Sequence, residues 1–253
     1  EHLTLLLEGT HLLQEALQKS FPPMEVIATP SWVKENQSIV RSLPPDCILR
    51  QVSDAVLLAS LTTKTPDGVA SLLPISALPK PKTNEDFVLA LDRLQDPGNI
   101  GTLFRTALAA EIDCILLALG ADPLSQKVIR ASSGAVLHLP FIRYGSTEGF
   151  AIKNFVERLE QFSAKGHQIV ASAAPGVETF SNKLPYWDLD WSKPTVLVLG
   201  NEGAGLHPLV KACCTVEITL PHSKQVESLN VASAAVPMLL ERRRAKIVNK
   251  CIS

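Results

Sequence analysis

Three short stretches of this 253-residue chain hold side chains that packing does not call for. In Asp92-Arg-Leu-Gln-Asp-Pro-Gly-Asn99-Ile-Gly-Thr-Leu-Phe-Arg105, an amide and a guanidinium stand six positions apart. That is somewhat under two helical turns, so both side chains can face the same end of a sheet. In Gly200-Asn201-Glu202-Gly-Ala-Gly205, a carboxylate sits among glycines directly after the apolar run Thr195 to Leu199. Glycine lets backbone N–H and C=O groups approach a ligand closely. The third stretch, Leu220-Pro-His-Ser-Lys-Gln-Val-Glu-Ser228-Leu229-Asn230, brings a hydroxyl and an amide to the start of a small-residue helix. Taken singly, each stretch also reads more plainly. The first is a turn with a surface salt bridge, the second a flexible glycine turn and the third a pair of helix caps. The second lacks the full dinucleotide-binding spacing, and no phosphate-loop lysine follows it.

The elements around these stretches decide where they lie. Residues 1–76 read as a first domain. It has strands at Leu3 to Leu7, Val26 to Ala28, Cys47 to Leu49 and Val69 to Leu73, and helices at Thr10 to Gln18 and from Ser53 through Leu61. Pro74, Pro79 and Pro81 resist helix and sheet, and residues 77–86 read as a linker. The second domain, 87–253, opens on Phe87 to Leu91, an apolar run suited to a central parallel strand. A helix from about Pro97 to Ala110 follows, then strand Cys114 to Leu119, helix Leu124 to Ala131, strand Ala135 to Leu139 and helix Phe150 to Phe162. Strands at Gln168 to Ala173, Thr195 to Leu199 and Val216 to Leu220, helix Leu206 to Ala212 and a long final helix complete it. Pro237 is expected to kink that last helix. Alternating strands and helices imply an α/β fold with a parallel sheet. The three stretches then lie beyond strand carboxyl ends, where such sheets bind ligands.

Composition sets bounds. Hydrophobic residues make up 46% of the chain, enough for a sizeable core, and net charge is −1, so bulk charge does not mark a nucleic-acid binder. A local basic face is what such binding needs. Arg242, Arg243, Arg244 and Lys246 near the C-terminus, and Arg41, Arg50, Lys64, Lys80 and Lys82 earlier, are the candidates. The cations of the last helix read equally as a solvated helix end. The five cysteines, Cys47, Cys114, Cys213, Cys214 and Cys251, form no CxxC pair and no zinc spacing. An odd count points to a reducing compartment, and no apolar run reaches membrane-spanning length. The chain begins at Glu1 rather than methionine, so further residues upstream are expected.

In combination and in this order, Asn-x5-Arg, G-x-E-G-x-G and a proline loop ending in S-L-N resemble the three motifs of the SpoU (TrmH-like) branch of the SPOUT class of RNA ribose methyltransferases. The resemblance covers roughly residues 87 to 248. Leu7-Glu8-Gly9 leading into a helix is a weaker likeness to the family's substrate-binding domain. The resemblance implies a parallel-sheet catalytic domain with a C-terminal trefoil knot, preceded by a small α/β RNA-binding domain. It implies S-adenosylmethionine as cofactor, held at Gly200, Asn201, Ile218, Leu220 and Leu229, with no metal. The partners implied are RNA, ribosomal ahead of transfer RNA, and a second copy of the chain in a homodimer. Localisation follows as cytoplasmic or organellar. Arg105, Glu202, Ser228 and Asn230 match the catalytic positions, and Asn99 and Arg105 face the RNA. Arg105 stands where the family places removal of the 2′-hydroxyl proton. A guanidinium is a poor base, so base and phosphate-holding positioner both stay open. The family commonly has Met then Gly in the third loop, where this chain has His222 and Lys224. That departure keeps a second reading, a catalytically silent RNA-binding relative.

Overall fold

A computed structural model of the chain describes residues 3–19, 21–145, 147–173, 183–223 and 225–252. The chain forms two compact units, Glu1–Pro79 with Val136–His138, and Lys80–Ala135 with Leu139–Ser253.

The first unit runs β1 (Thr4–Glu8), α1 (Thr10–Gln18), β2 (Glu25–Ala28), α2 (Pro30–Glu35), α3 (Gln37–Arg41), β3 (Ile48–Gln51), α4 (Asp54–Ser60) and β4 (Val69–Pro74). Its sheet has the order β1-β4-β2-β3, with β4 antiparallel to both neighbours and β2 parallel to β3. Leu13, Val26, Ala28, Trp32, Ile39 and Val69 form its core. The turn from β1 into α1 passes through Gly9 at φ 106°, which a side chain would strain. Helices α2 and α3 were not expected, although Thr29-Pro30 is a start signal. The Thr29 hydroxyl accepts the Trp32 N–H at 3.3 Å, and Pro30 takes the first helical turn.

The second unit carries β5 (Phe87–Asp92), α5 (Pro97–Ala109), β6 (Cys114–Ala118), α6 (Gln126–Ala131), β7 (Phe141–Tyr144), α7 (Glu148–Ala164), β8 (Gln168–Ala173), β9 (Lys183–Pro185), β10 (Thr195–Leu199), α8 (Pro208–Cys213), β11 (Val216–Thr219) and α9 (Val231–Ile252). Its seven strands are all parallel, in the order β7-β6-β5-β10-β8-β11-β9. Every residue of β5, β6 and β10 is buried, as strands covered on both faces require. Gly101 lets α5 lie against α6, because a Cβ there would stand 2.4 Å from the Ala131 Cβ. Asp96 caps α5 by accepting the Asn99 N–H at 2.7 Å.

Several expectations need correction. Ala135 to Leu139 is not a strand. Residues Ala135–Leu137 form a 3-10 turn, and the strand is Phe141–Tyr144. Ser133 and Gly134, at φ 47° and 83°, bend the chain there, and Leu139 donates back to the Ala135 carbonyl at 3.2 Å. Both segments are apolar, so hydrophobicity could not choose between them. The short strand β9 was also unforeseen. Pro237 lies inside α9, and the helix continues through it from Val231 to Ile252. Arg242 is not on a basic face. It is buried, donates to the Trp191 carbonyl at 2.6 Å and stacks over the Phe87 ring. Arg243 pairs with Glu111 and Arg244 with Glu241. Cys213 and Cys214 close α8 with their thiols on helix carbonyls, and burial pushes the Cys214 thiol up to about 12.

Candidate active site

Strands β5 and β10 pair in parallel with Leu91 opposite Leu199, so their carboxyl ends open side by side. On one side the chain builds outward through β6 and β7, and on the other it places β8, β11 and β9. Open α/β sheets bind ligands at such a reversal.

Polar side chains tie the loops of this edge together. Asp92, fully buried at the end of β5, accepts the His207 N–H at 2.6 Å and the Arg93 Nε at 3.0 Å. Arg93 follows in the left-handed region, φ 58°, and its carbonyl accepts the Asn201 Nδ2 at 2.8 Å. The Asn201 Oδ1 accepts the N–H groups of Gly203 and Ala204, so this side chain shapes its own turn. The backbones of Asn201 and Gly205 exchange two hydrogen bonds, at 3.1 and 3.0 Å. A Cβ on Gly200 would meet the Gly205 carbonyl carbon at 2.6 Å, so the first glycine of the turn is required.

The carboxylate of Glu202 reaches from this turn to the loop after β5. It accepts the Gln95 N–H at 3.3 Å, the Asp96 N–H at 3.4 Å and the Asn99 Nδ2 at 3.1 Å. Partial burial pushes its carboxyl up, and the hydrogen bonds, led by Asn99, outweigh this and hold it below the usual range. Asn99 in turn accepts the Asn230 Nδ2 at 2.8 Å. The Asn230 Oδ1 caps α9 through the N–H groups of Ala232 and Ser233. Three loops far apart in sequence are thus joined by one chain of hydrogen bonds, Glu202 to Asn99 to Asn230.

Beside that chain lies a cleft of about 890 Å³. Gly200, Asn201, Glu202, Leu220, Ser228, Leu229 and Asn230, all singled out from sequence, line it. Asn99 joins it through its bonds to Glu202 and Asn230. Ile218 does not line it, because its side chain is wholly buried in the sheet. Arg105, on α5, is exposed and outside the cleft, and it makes no hydrogen bond or ion pair among the described residues. Lys224 lies outside the described residues. His222 lines the cleft half-buried, its Nδ1 2.9 Å from the Leu220 carbonyl oxygen. Sequence reasoning missed Glu217, a buried carboxylate of the cleft wall whose partner is Lys183 at 3.3 Å. It also passed over Asp92, although a charge ending the run Phe87 to Leu91 was a signal. Among the described residues, no group of three His, Cys, Asp or Glu side chains is placed to hold a metal, and no helix is long and apolar enough to cross a membrane.

Known proteins match this arrangement. Residues 86–240 match the SpoU rRNA Methylase family. An uncharacterized tRNA/rRNA methyltransferase of Synechocystis sp. is 36% identical over 243 residues, covering 95% of this chain and 84% of its own. The 23S rRNA (guanosine(2553)-2′-O)-methyltransferase RlmP of Bacillus subtilis is 31% identical, over 95% of this chain and 88% of its own. Among solved structures, the SpoU methyltransferase AviRb from Streptomyces viridochromogenes, in complex with the cofactor AdoMet, aligns at TM-score 0.77. It is 25% identical and covers 96% of this chain and 90% of that one. The AdoMet-bound rRNA methyltransferase from Sinorhizobium meliloti aligns at 0.74 with 29% identity, over 95% and 87% of the two chains. With its three loop motifs gathered at the carboxyl edge of one parallel sheet and more than half its length matching, the chain belongs to the SpoU rRNA methylase family of RNA methyltransferases.

Proposed function

We propose that the protein transfers a methyl group from S-adenosylmethionine to a ribose 2′-hydroxyl of ribosomal RNA. The observation that carries the reading is the hydrogen-bonded chain Glu202–Asn99–Asn230 on the edge of the cleft. The cleft suits the cofactor. Its volume of about 890 Å³ falls in the small-ligand range of roughly 300–1,000 Å³. Leu220, Leu229 and Met238 give it apolar walls, and the glycine turn from Gly200 gives it bare backbone. S-adenosylmethionine supplies the electrophilic methyl group. Leu220 and Leu229 would hold the adenine, with main-chain groups at Gly200 and Asn201 reading its edge. Ile218, its side chain in the core, has only its backbone to offer. Ser228 presents a hydroxyl beside Asn230 for the RNA side.

Arg105 would hold an RNA phosphate with its planar fork and so orient the ribose, a task for positioning rather than proton transfer. Because it stands outside the cleft, the reading includes a two-fold homodimer in which Arg105 of one copy completes the cleft of the other. Exposed Leu108 on α5, and Leu240, Ile247 and Val248 on α9, support such a contact, since these two helices pack together. The family's trefoil knot belongs, on this reading, to the segment that brings Asn230 back to Asn99. Residues 1–76 would recognise folded RNA, joined by the linker 77–86 to the catalytic domain 87–253. Ribosomal RNA is preferred over transfer RNA because the Bacillus subtilis relative carries that substrate in its name. The working place would be the cytoplasm or an organelle that makes ribosomes.

The test is mass-spectrometric mapping of ribose methylation in ribosomal RNA from cells with and without the protein, with calorimetry of cofactor binding beside it. One 2′-O-methyl mark that disappears with the protein, and micromolar to sub-millimolar cofactor binding, are expected. Binding of RNA without any binding of cofactor would mean a silent RNA-binding relative instead.

A further inference from the structure

We propose that Asp92 is a positioning residue for the cofactor, holding both ends of the glycine turn, residues 200–205, in the shape that cofactor binding needs. The inference rests on the methyl-transfer reading above and adds the group that sets the turn before any cofactor arrives.

Packing alone does not call for a carboxylate at the end of an apolar strand. Asp92 closes β5 fully buried, and burying a charge is unfavourable unless hydrogen bonds compensate it. Both of its oxygens are engaged, each by a segment that shapes the turn. Oδ2 accepts the His207 N–H at 2.6 Å. His207 stands two residues after Gly205, so this bond fixes the exit of the turn. Oδ1 accepts the Arg93 Nε at 3.0 Å. Arg93 stands at φ 58°, where side chains are uncommon, and its N–H donates to the Ala118 carbonyl at 2.9 Å. In that conformation its carbonyl accepts the Asn201 Nδ2 at 2.8 Å. A carbonyl only accepts, so this bond settles which way round the Asn201 amide stands. The Asn201 Oδ1 is thereby turned to the N–H groups of Gly203 and Ala204, at 3.0 and 2.9 Å, and folds the turn. Asp92 thus acts on the exit of the turn directly, and on its entrance through Arg93 and Asn201.

The guanidinium of Arg93 is already engaged. Its Nε is on Asp92, its Nη1 lies 3.4 Å from the Glu148 carboxylate, and the side chain is only 19% exposed. What Arg93 gives the site is its backbone. Gly200, Asn201 and Glu202 line the cleft, so a shift of the turn displaces the main-chain groups that would read the adenine edge. Glu202 is tied separately to Gln95, Asp96 and Asn99. Loss of Asp92 should therefore fall on cofactor binding ahead of the chemical step.

Calorimetry, single-turnover methylation and amide exchange test the assignment together. Asp92→Asn keeps the volume, removes the charge and turns an amide nitrogen toward one of the two donors. It should bind S-adenosylmethionine about 10- to 100-fold more weakly, the range for a lost hydrogen bond to a charged group. Its methylation rate at saturating cofactor should stay within a few-fold of wild type. In the cofactor-free protein, exchange at Gly203, Ala204 and His207 should quicken. Arg93→Gly and Arg93→Val both lose the guanidinium, so the difference between them reports the backbone alone. Glycine takes φ 58° readily and a β-branched residue does not. Arg93→Val should therefore bind cofactor about tenfold more weakly than Arg93→Gly. Wild-type cofactor affinity or wild-type exchange in Asp92→Asn, a rate loss at saturating cofactor with affinity intact, or equal affinities in the two Arg93 variants would each overturn the proposal. If the wild-type protein binds no cofactor, the broader reading falls and takes this one with it. If it binds cofactor and Asp92→Asn binds it equally well, this one falls alone.

Discussion

Glu8 and Glu202 do the same job in the two units of this molecule, under opposite conditions. Each carboxylate reaches across to a loop remote in sequence and accepts its N–H groups. Glu8 is buried and takes four hydrogen bonds, from the backbone N–H and hydroxyl of both Thr62 and Thr63, at 2.5 to 3.0 Å. Glu202 stands on the rim of the cleft and takes three, at 3.1 to 3.4 Å. In both, burial raises the carboxyl pKa and hydrogen bonding more than offsets it. Glu8 is the more deeply buried and holds its loop by the shorter bonds. Glu202 is held more loosely, through an asparagine that is itself shared with the start of α9. One is a staple, while the other holds a frame that a ligand can complete.

Glu202→Ala should show the difference most strongly. With Asn99 released, methylation should slow by about 10²-fold or more, the cost of misplacing groups by an ångström. Hydrogen exchange at Thr62 and Thr63 should not change. A rate within a few-fold of wild type would deny Glu202 any part in the frame. Glu8→Gln is the mirror experiment. It replaces an ionised acceptor with a neutral amide and leaves buried donors poorly matched, at a cost of about 1–3 kcal/mol. The loss should appear as faster amide exchange at Thr62 and Thr63, while cofactor affinity stays as it was. A fall in cofactor affinity would break the division of labour drawn here.

Gly200→Ala separates the turn from the carboxylate it carries. The added Cβ collides with the Gly205 backbone, so the turn must shift. Calorimetry should register a cofactor affinity lower by roughly tenfold, about 1.4 kcal/mol. The smallest effect is that of pH. Both carboxyls sit below their ordinary value in the folded chain, so their stabilising contribution is complete above the unfolded pKa of 4.5. It is lost as pH falls through the lower folded values. Acid titration followed by exchange at Thr62 and Thr63 in the wild type should therefore show protection falling only below that point. Glu8→Gln should flatten this part of the curve.

Much of the site is legible in the sequence because Asn99, Glu202 and Asn230 are polar groups set beside apolar strands, where a core has no use for them. The closing of those groups into one hydrogen-bonded chain is not legible, since it depends on β5 and β10 lying side by side. The two sides of β11 show the same limit. Register puts Glu217 opposite Ala171 and Ile218 opposite Ser172, which sends the carboxylate to the cleft wall and the isoleucine to the core. Composition alone favours the reverse. Ala135 to Leu139 reads as a strand from its apolar run, and the left-handed bend at Ser133 and Gly134 precedes a 3-10 turn there and leaves the strand to Phe141–Tyr144. Arg242 looked like part of a cationic patch, yet its guanidinium is sequestered against Trp191 and Phe87.

The bond between Asn230 and Asn99 spans 131 positions, and the one between Glu202 and Asn99 spans 103. During synthesis these partners leave the ribosome on the order of ten seconds apart, at roughly 5–20 residues per second. The strand pairing of the first sheet is already complete in the chain by Pro74. A nascent chain therefore carries every strand of its N-terminal sheet well before it holds all three members of that hydrogen-bonded chain. Truncation between Pro74 and Asn230 keeps every strand of the first sheet and removes a member of the chain Glu202–Asn99–Asn230.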